Sequence, residues 1–307
     1  MSDAQALAAI LRDARKLVAF TGAGMSTESG ISDYRSPGGV WSRFQPPVLQ
    51  EFLADEAARE RYWRFYQETF PAFQAAEPNP GHVALGRLYS AGRLSAVITQ
   101  NIDGLHIRGG VPAGDVLELH GHAFKSACLD CGGSEADTAD LLAGFIDSGA
   151  IPICPRCGGP MKPRTISFGQ SLDSALLERA ARLAGDADLL LIMGSSLMVT
   201  PAADLPRITL QAGGGLVILN RDPTHLDDYA KLVLNTPAGA TLAAAVDELD
   251  LEWEAVYVDD GSADSTYEIL QKLAAQDKRV VGVRFRKNFG QTAAMSAGFD
   301  YSKGKVV

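Results

Sequence analysis

A surplus of basic residues is the first thing the sequence lacks. Of 307 residues, 28 are Lys or Arg and 37 are Asp or Glu, a formal charge of -9. That balance argues against a general nucleic-acid or anionic-membrane binder, whose surface must be basic. Long apolar runs are lacking too: an obvious one, Leu189 to Met193, falls far short of the ~20 residues of a membrane helix. Met1-Ser2-Asp3-Ala4 carries no basic segment leading into an apolar stretch, so no secretory signal is expected. The expectation is a soluble, cytoplasmic protein with no membrane and no direct nucleic-acid partner. Cysteine is scarce, with four in the chain, and in a reducing compartment four thiols are expected as metal ligands rather than disulfides.

At roughly 150 residues per domain the length allows one large domain or two modest ones. Charge is unevenly spread: residues 1 to 250 hold 20 basic and 29 acidic side chains, and residues 251 to 307 hold 8 of each. All the cysteines also precede this boundary. The shift near 250 points to a junction between two sequences of different origin.

Within the first part, Leu17 to Phe20, Ala96 to Thr99, Leu189 to Met193, Leu216 to Leu219 and Leu232 to Leu234 are uninterrupted enough for strands buried on both faces. Helix-like spacing separates them over Asp3 to Lys16, Glu56 to Phe73, Gly81 to Ser90, Ser174 to Ala184 and Ala238 to Leu249. Asn79-Pro80 supplies a cap and a first-turn proline for the third. Such alternation implies an α/β fold with a doubly wound, Rossmann-like parallel sheet, whose ligands bind beyond the carboxyl ends of the strands. Residues 36 to 80, rich in Pro and aromatics, and residues 121 to 168, with all the cysteines, break the alternation and read as insertions.

The loop after the first strand, Thr21-Gly22-Ala23-Gly24-Met25-Ser26, could bring backbone close to a pyrophosphate, with helix-start amides facing the anion. It is not GxGxxG, and no acidic residue closes a second strand about 20 residues on. A bland turn remains open for this loop by itself. Cys128-x-x-Cys131 and Cys154-x-x-Cys157, 22 residues apart, present four thiolates in two pairs, as a closed tetrahedral zinc site requires. Two disulfides are the alternative. With no open position, the zinc would be structural. His82 at a helix start, His225 on a polar loop and His122 read as ordinary histidines.

Longer motifs narrow the choice. Gly30-Ile31-Ser32-Asp33-Tyr34-Arg35, Gln100-Asn101-Ile102-Asp103-Gly104-Leu105-His106 and Leu119-His120-Gly121 together resemble the sirtuins, the NAD-dependent protein-lysine deacylases, across residues 1 to about 250. The resemblance implies a small helical and zinc-binding domain inserted in the sheet scaffold, over 36 to 80 and 121 to 168. It implies that the acyl-lysine oxygen attacks the anomeric carbon of the nicotinamide ribose and that His120 serves as general base toward a ribose hydroxyl. Asn101 and Asp103 complete the catalytic set. Gly22, Ala23, Gly24, Ser26, Asp33, Tyr34, Arg35, Gln100 and Ile102 would hold NAD, with Tyr34 where the family usually has Phe. Gly194-Ser195-Ser196 replaces the commoner Gly-Thr-Ser, and Asn220-Arg221-Asp222 and Ala238 would lie along the adenosine. Ile166, Phe168, Gly169 and Val199 would border an added substrate strand, with Gln170 where Glu is commoner.

Acetylated protein lysines are the expected substrates. Sirtuins that accept acidic acyl groups resemble one another in a Tyr-x-x-Arg pair, and here Tyr66 is followed by Thr69 at the arginine position. Acetyl is therefore expected over succinyl. A non-catalytic NAD or ADP-ribose sensor and a mono-ADP-ribosyltransferase are the rival readings. No oligomeric state is read from the sequence.

Residues 251 to 307 resemble a fragment of family 2 glycosyltransferases, from Trp253 through Val258-Asp259-Asp260-Gly261-Ser262 to Asn288-Phe289-Gly290-Gln291-Thr292-Ala293-Ala294. Ser265-x-x-Glu268 offers a capping box for a helix to Gln276, and Val280 to Phe285 reads as a strand. A partial βαβ tail with one helix is expected, ending at Val306-Val307 before the family's metal-binding Asp-x-Asp. The expectation is no glycosyl transfer, and a tail that docks, pairs or stays poorly ordered.

Overall fold

The uninterrupted apolar runs become neighbours in one sheet, because a strand apolar on both faces loses its water only between two layers. The computed structural model describes residues 1–249 and 254–303. They fall into two units that divide after Leu249, and each is taken by itself. No helix among the described residues is long and apolar enough to cross a membrane.

The first unit runs α1 (Asp3–Asp13), β1 (Leu17–Thr21), α2 (Leu49–Ala54), α3 (Glu56–Ala75), α4 (Pro80–Ser90), β2 (Leu94–Thr99), α5 (Leu105–Arg108), β3 (Val116–Glu118) and β4 (Gly121–Cys128). It continues through β5 (Glu135–Asp137), α6 (Thr138–Ser148), β6 (Met161–Thr165), α7 (Ser174–Asp186), β7 (Leu189–Met193), α8 (Leu205–Gln211), β8 (Gly215–Leu219), β9 (Ala230–Leu234) and α9 (Ala238–Asp247). Six strands form a sheet in the order β3-β2-β1-β7-β8-β9, and every pair in it is parallel. From β1 the chain winds outward to β3, then returns beside β1 as β7 and winds the other way. That reversal opens a crevice at the carboxyl ends of β1 and β7, the place where open α/β sheets bind ligands.

Strands β1, β7 and β8 bury every residue. The expectation fails for Leu232 to Leu234: β9 is the sheet edge and fully buries only Leu234, because one of its sides has no neighbouring strand. Helices α7 and α8 cover the sheet face that carries Val18, Phe20, Leu190 and Ile192. By the two-residue alternation Leu17 and Ala19 serve the opposite face. Helices α1 and α4 both pack on α9. Helix α4 starts as its sequence suggests, with Asn79 Oδ1 accepting the Gly81 and His82 amides and Pro80 in the first turn.

Both insertions build one small lobe. Phe52 of α2 and Tyr62, Trp63, Tyr66 and Phe70 of α3 share a buried cluster with Leu142 and Phe145 of α6. Beside it β5, β4 and β6 form an antiparallel sheet.

The second unit is β10 (Ala255–Asp259), α10 (Thr266–Gln276), β11 (Val280–Arg284) and α11 (Gln291–Tyr301). Its two strands pair in parallel. Two helices are present rather than the one expected, since the Asp260 carboxylate accepts the Phe289 and Gly290 amides and so organises the start of α11. The capping box also fails: the Ser265 side chain makes no cap bond, and Asp264 takes the Thr266 amide and hydroxyl instead. Trp253 and Val306-Val307 lie outside the described residues.

Candidate active site

The loops that follow β1 and β7 meet backbone to backbone, which only glycine permits. A Cβ on Gly22 would stand 2.7 Å from the Gly194 carbonyl oxygen, and one on Gly194 2.1 Å from the Met25 nitrogen. The Gly24 amide donates to the Gly194 oxygen at 2.9 Å. These glycines thus serve the contact between loops, and a 3-10 helix, Ala23–Ser29, follows them rather than an α-helix. Above this floor opens a cleft of about 1110 Å³.

Most candidate residues border that one cleft. The β1 loop contributes Gly22, Ala23, Gly24, Asp33, Tyr34 and Arg35, and the β2 loop Gln100, Asn101 and Ile102. His120 enters from the segment after β3. Gly194, Ser195, Ser196 and Val199 follow β7; Asn220, Arg221 and Asp222 follow β8; Ala238 opens α9. Ile166, Phe168 and Gly169 close the small-lobe side. Ser26 and Asp103 do not line it. They sit behind Asn101: its Nδ2 donates to Ser26 Oγ at 3.1 Å, and the Ser26 hydroxyl donates to Asp103 Oδ2 at 2.7 Å. Asp103 Oδ1 also accepts the Leu105 amide at 3.0 Å. Asn101 Oδ1, buried at the edge of the cleft, has no hydrogen-bond partner among the described residues.

His120 is oriented by a backbone group. Its Nδ1 lies 3.1 Å from the Gln100 carbonyl oxygen. A carbonyl can only accept, so Nδ1 carries the hydrogen and Nε2 keeps its lone pair. Burial lowers the His120 pKa below the ordinary histidine value, against an upward pull from the Gln100 carbonyl. The ring is therefore neutral at physiological pH. Gln100 has a second duty, since its Nε2 donates to Ser195 Oγ at 2.9 Å and ties the β2 loop to the β7 loop.

Several partners were not legible in the motifs. Asp33 folds its own loop, accepting the Arg35 and Ser36 amides and the Ser36 hydroxyl, while Arg221 reaches the Ser36 hydroxyl and stands 3.7 Å from Asp33 Oδ2. Glu28 takes the first free amides of α9, at Gly239 and Ala240. Tyr34 stacks near Trp41, which in turn meets Phe168, at ring distances of 5.0 and 5.8 Å. Burial, then the Asp103 carboxylate, raises the Tyr34 pKa, so the phenol stays protonated. Glu118 of β3 is pushed up to about 7 by burial and by Asp103. No spacing rule singles it out.

On the small-lobe side, the Ile166 amide donates to the His120 oxygen at 2.9 Å. The Tyr62 and Tyr66 hydroxyls lie 3.2 and 3.0 Å from Thr165 Oγ1. Gln170 Oε1 accepts the Ser167 amide at 3.1 Å and closes its own turn. The four cysteine sulfurs gather within 4.8 Å of one another. The Cys128–Cys157 and Cys131–Cys154 separations of 3.5 and 3.9 Å are too long for disulfides and near the ~3.8 Å edge of a tetrahedral Zn–S₄ site with 2.3 Å bonds.

Comparison with known proteins decides the family. A model described as Sir2 family matches residues 22–201. A NAD-dependent protein deacetylase of Rhodopseudomonas palustris is 44% identical over 245 residues, covering 80% of this chain and 96% of the relative. The chain belongs to the Sir2 family. A NAD-dependent protein deacylase 2 of Pyrobaculum aerophilum is 37% identical over 246 residues, covering 79% and 94%. Among solved Sir2 structures, a complex with p53 peptide and NAD+ superposes with a TM-score of 0.74 at 34% identity, covering 82% of this chain and 100% of that one. A Sir2 bound to acetylated peptide gives 0.72 at 34% identity with the same coverage. Outside the Sir2 region, a model described as Glycosyl transferase family 2 matches residues 237–307. That match begins within the segment before the second unit, at the residue preceding α9.

Proposed function

We propose that residues 1 to 250 form a NAD-dependent deacetylase of protein lysines, releasing nicotinamide, O-acetyl-ADP-ribose and free lysine. The relatives bear that activity in their names, over nearly their whole length. The observation that carries the reading here is His120: a cleft-lining imidazole, neutral, with Nδ1 committed to a carbonyl and Nε2 free. That is the state a general base needs. Bound NAD supplies an anomeric carbon from which nicotinamide departs. The unpartnered Asn101 Oδ1 offers a buried acceptor to the ribose side of that ligand. The backbone of Ile102 borders the carboxamide end, and Asp103, linked to Asn101 through Ser26, supports that loop from behind. Tyr34 shields the reactive face, and His120 then takes a proton from a ribose hydroxyl at Nε2. The acyl-lysine strand runs past Ile166, Phe168, Gly169 and Val199, and its recognition is largely by backbone.

Cys128, Cys131, Cys154 and Cys157 hold one structural Zn²⁺ in this reading, because the sulfur separations suit a tetrahedral thiolate site and leave no position for substrate. Four thiols unbridged by disulfides fit a cytoplasmic setting. Residues 251 to 307 are a separate, glycosyltransferase-like fragment. The test is to incubate the protein with labelled NAD and an acetylated peptide. Free lysine with labelled O-acetyl-ADP-ribose supports the deacetylase; labelled protein would shift the reading to ADP-ribosyl transfer, and neither product would leave a binding module.

A further inference from the structure

Two histidines to which the sequence assigns no role, one of them closing the Gln100 to His106 motif, are buried against each other. His82 of α4 and His106 of α5 are both shielded from solvent, with ring centroids 4.8 Å apart. Glycine makes the approach possible: a Cβ on Gly86 would stand 2.1 Å from the Gly109 carbonyl oxygen, and one on Gly109 2.8 Å from the His82 carbonyl carbon. Each ring uses one nitrogen in a hydrogen bond. The other two, His82 Nε2 and His106 Nδ1, are buried without a partner among the described residues.

The proton positions follow from the ends of the chain of contacts. A backbone amide can only donate, so the Asn79 N–H, 3.3 Å from His82 Nδ1, makes that nitrogen the acceptor and puts the ring hydrogen on Nε2. At the far end the Asn101 N–H donates to Thr99 Oγ1 at 3.0 Å, and the Thr21 hydroxyl donates to the same oxygen at 2.7 Å. Thr21 Oγ1 must then accept from His106 Nε2, 2.8 Å away, which leaves the lone pair on His106 Nδ1. One ring thus buries an unpartnered donor and its neighbour, with ring centroids 4.8 Å away, an unpartnered acceptor. Asn79 Nδ2 also holds the Met25 carbonyl at 2.8 Å, so the chain links the β1 loop to Asn101. Burial keeps both rings neutral: His82 is lowered to about 3 by burial and then by His106, against an upward pull from Asp103, and His106 is lowered to about 4 by burial.

We propose that His106 is a positioning residue for Asn101: braced by His82, it fixes the Thr21 and Thr99 hydroxyls, hence the Asn101 amide, and so the aim of the Asn101 carboxamide at the cleft. Its effect on rate rests on the deacetylase reading above; the hydrogen-bond polarity does not.

The test uses the full chain. Long-range ¹⁵N–¹H spectra should find both rings as Nε2–H tautomers between about pH 6 and 8, where their lowered pKa values keep them neutral; an Nδ1–H or cationic His106 there overturns the proposal. Thr99→Val keeps the packing volume and removes the link. It should slow acetyl release about tenfold, the scale of one lost buried hydrogen bond, with KM for NAD nearly unchanged. Exchange of the Asn101 amide should rise in step. His106→Gln, which retains a donor toward Thr21, should recover most of what His106→Phe loses. In an Asn101→Ala background Thr99→Val should cost nothing further. Losses that multiply in that double variant, or a folded Thr99→Val protein with unchanged turnover and amide exchange, would overturn the positioning role. Should the unsubstituted protein release no acetyl, the deacetylase reading fails by itself, and the tautomer and exchange measurements still decide the polarity and the link.

Discussion

At the residue scale, the motif marks His120 but not what makes its ring useful. The partner that fixes its tautomer is a backbone carbonyl twenty positions earlier, and backbone groups leave no trace in side-chain identity. For the same reason Ser26 and Asp103 read as ligand contacts, whereas they stand behind Asn101 as supports. His120→Ala should leave NAD affinity nearly intact, because most of the cleft lining is untouched, and lower deacetylation by about 10²- to 10⁴-fold, as expected for a lost general base. Comparable turnover in the variant would remove His120 from that role. The sign of the pH dependence follows from burial. Catalysis needs the neutral ring, and a lowered pKa keeps it neutral further into acid, so the acid limb of kcat should fall below pH ~6.5, the ordinary histidine value. An acid limb centred above pH 7 would contradict this. Acyl choice is also a single-residue matter. Tyr66 borders the cleft with its hydroxyl on Thr165, while Thr69, at the position of the expected arginine, spends its hydroxyl on the Phe65 carbonyl and lies outside the cleft lining. With threonine in place of a guanidinium at position 69 to meet a carboxylate, acetyl should leave the same peptide at least about tenfold faster than succinyl, the scale of one charge-assisted hydrogen bond. Faster removal of succinyl would count against the assignment.

At the element scale, legibility tracked burial. Strands enclosed by two layers must be apolar throughout, so β1, β2, β7 and β8 were visible as plain runs. Short β3 carries a weaker pattern, and α2 and α8 are too brief for a helical period to stand out, while α6, as long as α1, lies inside the cysteine-bearing insertion where the strand-helix alternation breaks. That the two insertions share one core follows from the family resemblance and from no local pattern, because Trp63 and Phe145 meet across more than eighty residues of chain. The cysteine pairs were legible because metal geometry imposes its own spacing. Metal analysis should find one zinc per chain. Its removal by a strong chelator should unfold the β4–β6 layer, since a structural zinc contributes on the order of 10 kcal/mol to its fold. Cys128 and Cys154 pack with Met161 and Leu141, so loss of helical signal from α6 should accompany the release. Soluble, active protein with clearly less than one equivalent of zinc would argue against the site.

At the scale of the whole molecule, the charge and cysteine shift near residue 250 falls where the two units divide, whereas the glycosyltransferase family match already begins at residue 237. All the candidate catalytic, cofactor, metal and substrate residues lie before that division. So does nearly all of the buried apolar material: among the described residues of the second unit, only Leu270 is a buried hydrophobic side chain, while Tyr257, Ile269, Phe289, Met295 and Phe299 are about half exposed. A two-stranded sheet with so little interior is marginal in water, and a chain of its length buries too small a share of its surface to hold a fold firmly. The first unit has no such shortage, with its sheet enclosed and its loops tied together by Gln100, Ser195 and the interlocked glycines. A chain ending at Leu249 should therefore fold and keep its deacetylase activity within about twofold of the full protein, the range usual for changes remote from a site. The isolated stretch after Leu249 should by contrast give a far-ultraviolet spectrum dominated by coil. Complete loss of activity in the shortened chain would show that the second unit is part of the enzyme.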